Sequence, residues 1–243
     1  MRLFRPRIRF FASFFILTCS VAAAQPRSTS IGLCLRPIFP VEFLGTGEDN
    51  TSSGGVDFSL GLRSGFSGGM VVRKGLSELL SMETGINYTK RNYTYRITDT
   101  TYSFEDRFRL IGYEVPISLL AFVRLGEQVY MNASLGAGID AYASSVATKS
   151  ERSEQVAIKR RSFNPSLNAN LGWEYRIPGS GTVYLGATYH RPFGDIYKNS
   201  VLYNPGSDER IFNNLLSGSY LTADLRYYFK AEQEKKKRTT KGK

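Results

Sequence analysis

From Ser30 to Phe229 the chain repeats one pattern: apolar residues at every second position, with polar or small residues between them. A strand throws successive side chains to opposite faces, so this period of two predicts β-structure. The sharpest instance is Gly218–Phe229, where Leu221, Ala223, Leu225, Tyr227 and Phe229 oppose Thr222, Asp224, Arg226 and Tyr228. Seven further segments share it: Ser30–Phe43, Asp57–Arg73, Leu79–Arg96, Phe104–Arg124, Gln128–Ser144, Ser162–Ile177 and Thr182–Tyr197. In the second of these, Phe58, Leu60, Leu62, Phe66, Met70 and Val72 fall on one face, against Arg63, Gly65, Ser67, Gly69 and Arg73 on the other. Pro37 and Pro40 make the second half of the first segment irregular. Each segment holds the roughly 9–11 residues with which a tilted strand crosses a bilayer.

An apolar strand face can cover a water-soluble core or meet lipid, and one strand does not decide between them. The connections do. Lys74–Glu78, Leu125–Glu127 and Pro178–Gly181 are tight and carry glycine, whereas Gly45–Val56, Thr98–Ser103, Ser145–Arg161 and Asp195–Ser217 are polar and mostly longer. Short and long alternate strictly, as in outer-membrane barrels with short periplasmic turns and long external loops. The predicted fold is therefore all-β, an eight-stranded antiparallel up-and-down transmembrane β-barrel over residues 25–229. No stretch after the first residues has the roughly 18 uninterrupted apolar residues of a membrane helix.

The two ends differ from this pattern. Arg2, Arg5, Arg7 and Arg9, an apolar run from Phe10 to Val21, and Ala22-Ala23-Ala24 read as a secretory signal peptide over 1–24. Lipoprotein processing at Cys19 competes with cleavage before Gln25, although Thr18 suits it poorly. The net charge of +11 looks like a nucleic-acid signal. Of 32 basic and 21 acidic residues, however, the leader holds 4 basic and the tail Lys230–Lys243 holds 7 basic and 2 acidic, so the barrel region is nearly neutral. No basic face carries interleaved stacking aromatics, and no nucleic-acid partner is expected. The tail, 230–243, is predicted to be a basic, disordered periplasmic segment able to contact periplasmic or secretion-complex proteins. Cys34 alone follows the leader, which excludes an intramolecular disulfide.

The inward faces collect the ionisable residues. Arg63, Arg73, Glu83, Glu114, Asp140, Glu174, Arg176, Asp224 and Arg226, with Arg36, are expected to form a lumenal polar network, because charges in so narrow a barrel must pair. Inward glycines at 65, 69, 136, 138, 172 and 186 leave room for bulky neighbours or a file of water. Trp173, Tyr175, Tyr227 and Phe229 fit an interfacial aromatic girdle at the periplasmic end, and Tyr88, Tyr113 and Tyr189 an outer one, both in contact with outer-membrane lipid. The chain has one histidine, His190, placed inward near the outer rim. No G-x-S-x-G, zinc-ligand spacing or phosphate-binding glycine loop accompanies it, so no catalytic residue, cofactor or metal is expected.

The run Gly112–Ser144, with Glu114-Val115-Pro116 and Gly136-Ala137-Gly138, resembles the fourth and fifth strands of the PorT-like outer-membrane β-barrel family, and Ser67–Tyr93 resembles its second and third. The resemblance covers most of residues 57–229, while the chain continues past Phe229. It implies a bacterial outer-membrane barrel from a functionally mixed family whose named member type serves in secretion of surface proteins. The expected function is a non-enzymatic structural or accessory role in the cell envelope, with secretion or surface assembly as the process the resemblance points to. Adhesion or ligand binding through external loops and a small channel remain the alternatives.

Overall fold

The computed structural model describes residues 28–41, 47–204, 206 and 209–230; the expected signal peptide, Cys19 and the tail beyond Lys230 lie outside them. The described residues form fourteen strands and no helix: β1 (Thr29–Phe39), β2 (Asp49–Ser53), β3 (Val56–Leu62), β4 (Gly65–Gly75), β5 (Leu80–Thr98), β6 (Ser103–Arg124), β7 (Val129–Tyr142), β8 (Val146–Lys149), β9 (Ser153–Lys159), β10 (Phe163–Arg176), β11 (Thr182–Pro192), β12 (Tyr197–Tyr203), β13 (Arg210–Leu216) and β14 (Tyr220–Tyr228). Eight of them close a ring in the order β5-β4-β1-β14-β11-β10-β7-β6, with β6 pairing back onto β5. Every pairing is antiparallel, and the first and last strands meet with Leu33 opposite Tyr227.

Parity sets the two surfaces. On β1, Gly32, Cys34, Arg36 and Ile38 are buried while Ile31, Leu33 and Leu35 face outward about half exposed (50–55%). The same alternation leaves Ile117, Leu135, Ile139, Leu171 and Leu185 exposed around the wall. A contiguous apolar belt of this extent is an aggregation surface in water and the matching surface in lipid. The chain is an eight-stranded up-and-down transmembrane barrel.

Two departures from the sequence-based expectation shape its outer end. The expected strand Asp57–Arg73 is divided at Arg63–Ser64. Between the pairs Leu62↔Tyr93 and Phe66↔Lys90, three residues face only Arg91 and Asn92. This β-bulge shifts the register by one, and a one-residue shift exchanges the two faces. Phe66 and Met70 below it face outward, whereas Phe58, Leu60 and Leu62 above it are buried at 1–5% exposure. The Arg63 amide donates to Asn92 O at 2.7 Å, and Asn92 Nδ2 donates to Ser64 O at 2.6 Å, pinning the irregularity.

The second departure concerns the external connections, expected as polar loops. They are folded. β5 and β6 overrun the barrel as far as Thr98↔Ser103, and the β2–β3 hairpin adds to the edge of β5. Facing them is a second sheet, β13-β12-β9-β8, built from the two longest connections. Val56, Phe58, Leu60, Tyr93, Tyr95, Ile97 and Phe108 on one side and Ala157, Tyr197, Val201, Tyr203 and Phe212 on the other share one buried core. Phe58 stacks on Phe212 at 5.0 Å and Tyr102 on Tyr203 at 6.0 Å. The core reaches down to Ile38, Tyr142 and Tyr220 at the mouth of the barrel, so this cap roofs the lumen.

Deleting Ser64 removes the bulge and turns Phe58, Leu60 and Leu62 out of the cap, at about 1.5–3 kcal/mol for each apolar side chain left unburied. The expected result is a barrel that still migrates as a folded, heat-modifiable band while its external part becomes sensitive to added protease. Wild-type protease resistance would disprove the register role of the bulge.

Candidate functional site

The lumen holds two charge clusters stacked along the barrel axis. The one nearer the short turns centres on Glu83, an inward residue of β5. Its carboxylate accepts from Arg226 Nη1 at 2.5 Å, from Arg73 Nε at 3.1 Å and from the Tyr228 hydroxyl at 2.6 Å. Arg73 also donates to Glu174 Oε2 at 2.7 Å and to the Tyr228 hydroxyl at 2.6 Å. Arg176 grips the other Glu174 oxygen through Nε at 2.9 Å and Nη2 at 2.7 Å, with its guanidinium 3.7 Å above the Tyr130 ring. Asp224 takes Thr188 and Thr222 hydroxyls at 2.6 Å each, pairs with Arg226, and lies 3.5 Å from Arg36. Bidentate arginines and charge-assisted bonds of this kind are the strong form of a polar contact.

The second cluster lies under the cap. Arg91, fully buried, donates to Glu114 at 2.9 Å and to the Tyr142 hydroxyl at 3.0 Å. Tyr220 donates its hydroxyl to the same carboxylate at 2.7–2.8 Å. His190 sits with Nε2 2.8 Å from Asp140 and Nδ1 2.7 Å from Asn168 Oδ1, its ring stacked on Tyr220 at 4.7 Å. Ser166 donates to the other Asp140 oxygen at 2.9 Å. Glu114, Asp140 and His190 bring ligand-type atoms within 4.8 Å of one another, the one such group among the described residues. Arg91 already supplies a cation to Glu114 there.

Between the clusters the barrel is nearly filled. Tyr184 runs along the wall and donates to Asn170 Oδ1 on the neighbouring strand at 2.6 Å. Gly172 and Gly186 make that possible, since a Cβ at either would lie 2.1–2.4 Å from the Tyr184 hydroxyl. One void there, of about 20 Å³, is lined by residues including Arg36, Asn87, Ser118 and Thr188. That volume holds little more than one water molecule.

Of the residues predicted for the lumen, Arg73, Glu83, Glu114, Asp140, Glu174, Asp224 and Arg226 lie inside, and Arg176 lines the mouth with its side chain 43% exposed. Arg63 does not. It stands at the bulge on the outer surface, paired with Glu48 at 2.8 Å, because the register shift removes it from the lumenal face. Gly65, below the bulge, keeps its inward parity opposite the buried Ile38. Arg91 was legible, being eight residues beyond Glu83 on the same parity. The outward Trp173, Tyr175 and Phe229 are about half exposed at the short-turn end, and Tyr227 meets Phe229 edge-on at 5.3 Å.

In the cap, the Asp99 carboxyl is pulled down to about 2, first by the Tyr203 hydroxyl at 2.5 Å and then by hydrogen bonds from Thr101 and Tyr102. Burial, and then the neighbouring carboxylate, push the Tyr203 phenol up to about 12.

No family model matches this chain, and no curated protein matches it. Among solved structures, the outer membrane protein OprG from Pseudomonas aeruginosa superposes over 86% of this chain and 98% of its own, with TM-score 0.50 and 9% identity. At that identity the likeness is one of fold. The outer membrane protease OmpT from Escherichia coli (TM-score 0.34, 9% identity, 85% of this chain and 95% of its own) and the β domain of the Bordetella autotransporter BrkA (0.31, 8%, 84% and 99%) superpose too loosely to bear on this chain.

Glu83→Gln removes one of the two carboxylates that Arg73 and Arg226 each engage and leaves the buried cluster with excess positive charge, and breaking a buried pair costs about 3–5 kcal/mol. A clearly lower unfolding midpoint in detergent micelles, followed by gel mobility, is the expected result; an unchanged midpoint would make the network mere filling. Because the folded Asp99 carboxyl titrates below its unfolded value, its contribution is present above about pH 4 and fades as pH falls toward 2. Tyr203→Phe should move the Asp99 titration upward toward the usual carboxylate range in an NMR titration, and no movement would remove the hydroxyl as its cause.

Proposed function

We propose that this chain is a non-enzymatic outer-membrane β-barrel with a structural or accessory role in the cell envelope, acting through its folded external cap. The observation that carries this reading is the plugged lumen. Paired charges fill it and the apolar core of the cap roofs it, which weighs against a channel. The His190 surroundings weigh against catalysis. Both ring nitrogens are engaged, by Asp140 and Asn168, and Tyr220 covers one face, so no ring nitrogen is left to activate a nucleophile. The fold shared with OprG supports residence in the outer membrane.

Within that role, the likeness of residues 67–93 and 112–144 to PorT-like barrels supports an accessory of secretion or surface assembly, a warrant from fold analogy. A second reading, adhesion or ligand binding, draws on the cap itself, because two packed sheets present a folded surface where polar loops were expected.

The test is co-purification from gently solubilised membranes of the full chain, of a chain lacking 231–243, and of one with 146–159 and 197–216 replaced by short linkers. An envelope partner lost with the tail supports a periplasmic assembly role. One lost with the cap supports external recognition. Unitary ion conductance by the intact chain in planar bilayers would overturn the closed-lumen reading, and silence is the expected result.

A further inference from the structure

The outward surface of the barrel is apolar to the rim, but over β5 and β6 its chemistry changes within one residue row. Outward residues of β6 run Val123, Ala121, Leu119, Ile117, Val115 and Tyr113. At about 3.3 Å per residue and a tilt near 40°, that run is about 25 Å tall, the height of a barrel's apolar band. Tyr113 lies opposite Tyr88, their rings edge-on at 5.9 Å, and Phe66 extends the row at 5.8 Å from Tyr88. This is an interfacial aromatic belt. The rows directly above it begin with Lys90 and continue with Asn92↔Arg109 and Thr94↔Arg107. The bulge folds Arg63 and Ser64 against the same rows, and together these residues border an open cleft of about 460 Å³.

The cleft has more positive charge than its neighbours neutralise. Glu48 serves Arg63, while Glu105 serves Arg96 at 2.8 Å and lies 3.7 Å from Arg107. Lys90 and Arg109 have no carboxylate partner among the described residues. Elsewhere on the outer end, Arg160 is matched by Asp195 at 3.1 Å. Uncompensated lysine and arginine at headgroup height are suited to a phosphoryl group, lysine as a compact charge and arginine as a two-pronged donor. The cleft is much larger than one phosphate ion, which fits a phosphate carried on a sugar whose acyl chains descend over Tyr88 and Ile86.

We propose that this cleft binds a phosphomonoester, and that its source is the phosphorylated glycolipid headgroup of the outer leaflet. The assignment of the source rests on the outer-membrane residence proposed above. Native mass spectrometry of the full chain in detergent micelles tests it, with bisphosphorylated lipid A, the same lipid stripped of phosphate, and inorganic phosphate as three separate probes. The phosphorylated lipid should be retained and the dephosphorylated one lost. Lys90→Ala with Arg109→Ala should weaken retention about 30-fold, from about a fivefold contribution per cation near a charged surface. Both side chains point outward, so the variant keeps the folded-band mobility of the parent. Arg191→Ala, one row above Tyr189 on the opposite wall, should retain lipid as the parent does. Equal retention of the dephosphorylated lipid, or of lipid A by the double variant, would overturn the site. Tight binding of inorganic phosphate with no gain from the lipid would overturn the lipid source. Membrane fractionation is scored independently, so a failure of outer-membrane residence is distinguishable from a failure of the cleft.

Discussion

A closed ring of strands in lipid has no free edge and no water along its wall, so every main-chain group must be paired sideways and every inward charge must be answered inside. The rest of the molecule follows from that constraint. Arg36, Arg73, Arg91, Arg176 and Arg226 point inward, and Glu83, Glu114, Asp140, Glu174 and Asp224 balance them in number. The balance is uneven along the axis. Four arginines and three carboxylates gather near the short turns, while Arg91 shares the upper cluster with two carboxylates and His190. Glycine supplies space in the crowded interior: Gly172 and Gly186 let the Tyr184 side chain lie along the wall, where a Cβ would meet its hydroxyl.

The barrel was legible because its two surfaces differ so sharply in polarity. Gly32, Cys34 and Arg36 cannot be mistaken for Ile31, Leu33 and Leu35, and such contrast over several strands fixes parity, strand number and the side on which charges meet. The bulge was not legible, for a physical reason. Phe58, Leu60 and Leu62 are as apolar as Phe66 and Met70, and apolar residues suit lipid and a dry core equally. Alternation reports that a face is apolar and not what covers it. The register against Tyr93 and Lys90, a property of two strands together, is what separates them. The cap strands were obscured because their buried faces mix polar residues into the core, as Asn199 between Tyr197 and Val201, and Asn214 between Phe212 and Leu216. Gln155 donates to Asn199 at 2.6 Å and Asn214 to Asp49 at 2.5 Å, so these amides are buried with partners that local sequence does not reveal.

Cap and lumen are not independent bodies. Tyr142 and Tyr220 each place a ring in the apolar core of the cap and a hydroxyl in the upper charge cluster, on Arg91 and on Glu114. Their rings seal the network from the solvent above, and the network in turn satisfies hydroxyls that would otherwise be stranded beneath an apolar roof. A change in either layer therefore reaches the other through two side chains.

The long β5–β6 hairpin adds a mechanical property. Its outer turn, Asp99–Tyr102, belongs to the cap, and its lower ends are held in the wall by β4, from Phe66↔Lys90 to Gly75↔Ser81, and by β7, from Gly112↔Tyr142 to Arg124↔Tyr130. Tension drawing the cap away from the cell runs along these strands. It loads the flanking ladders in shear, where bonds lying across the pull share the force and yield together instead of peeling one after another. An axial pull on the cap is therefore resisted by whole ladders of the wall at once.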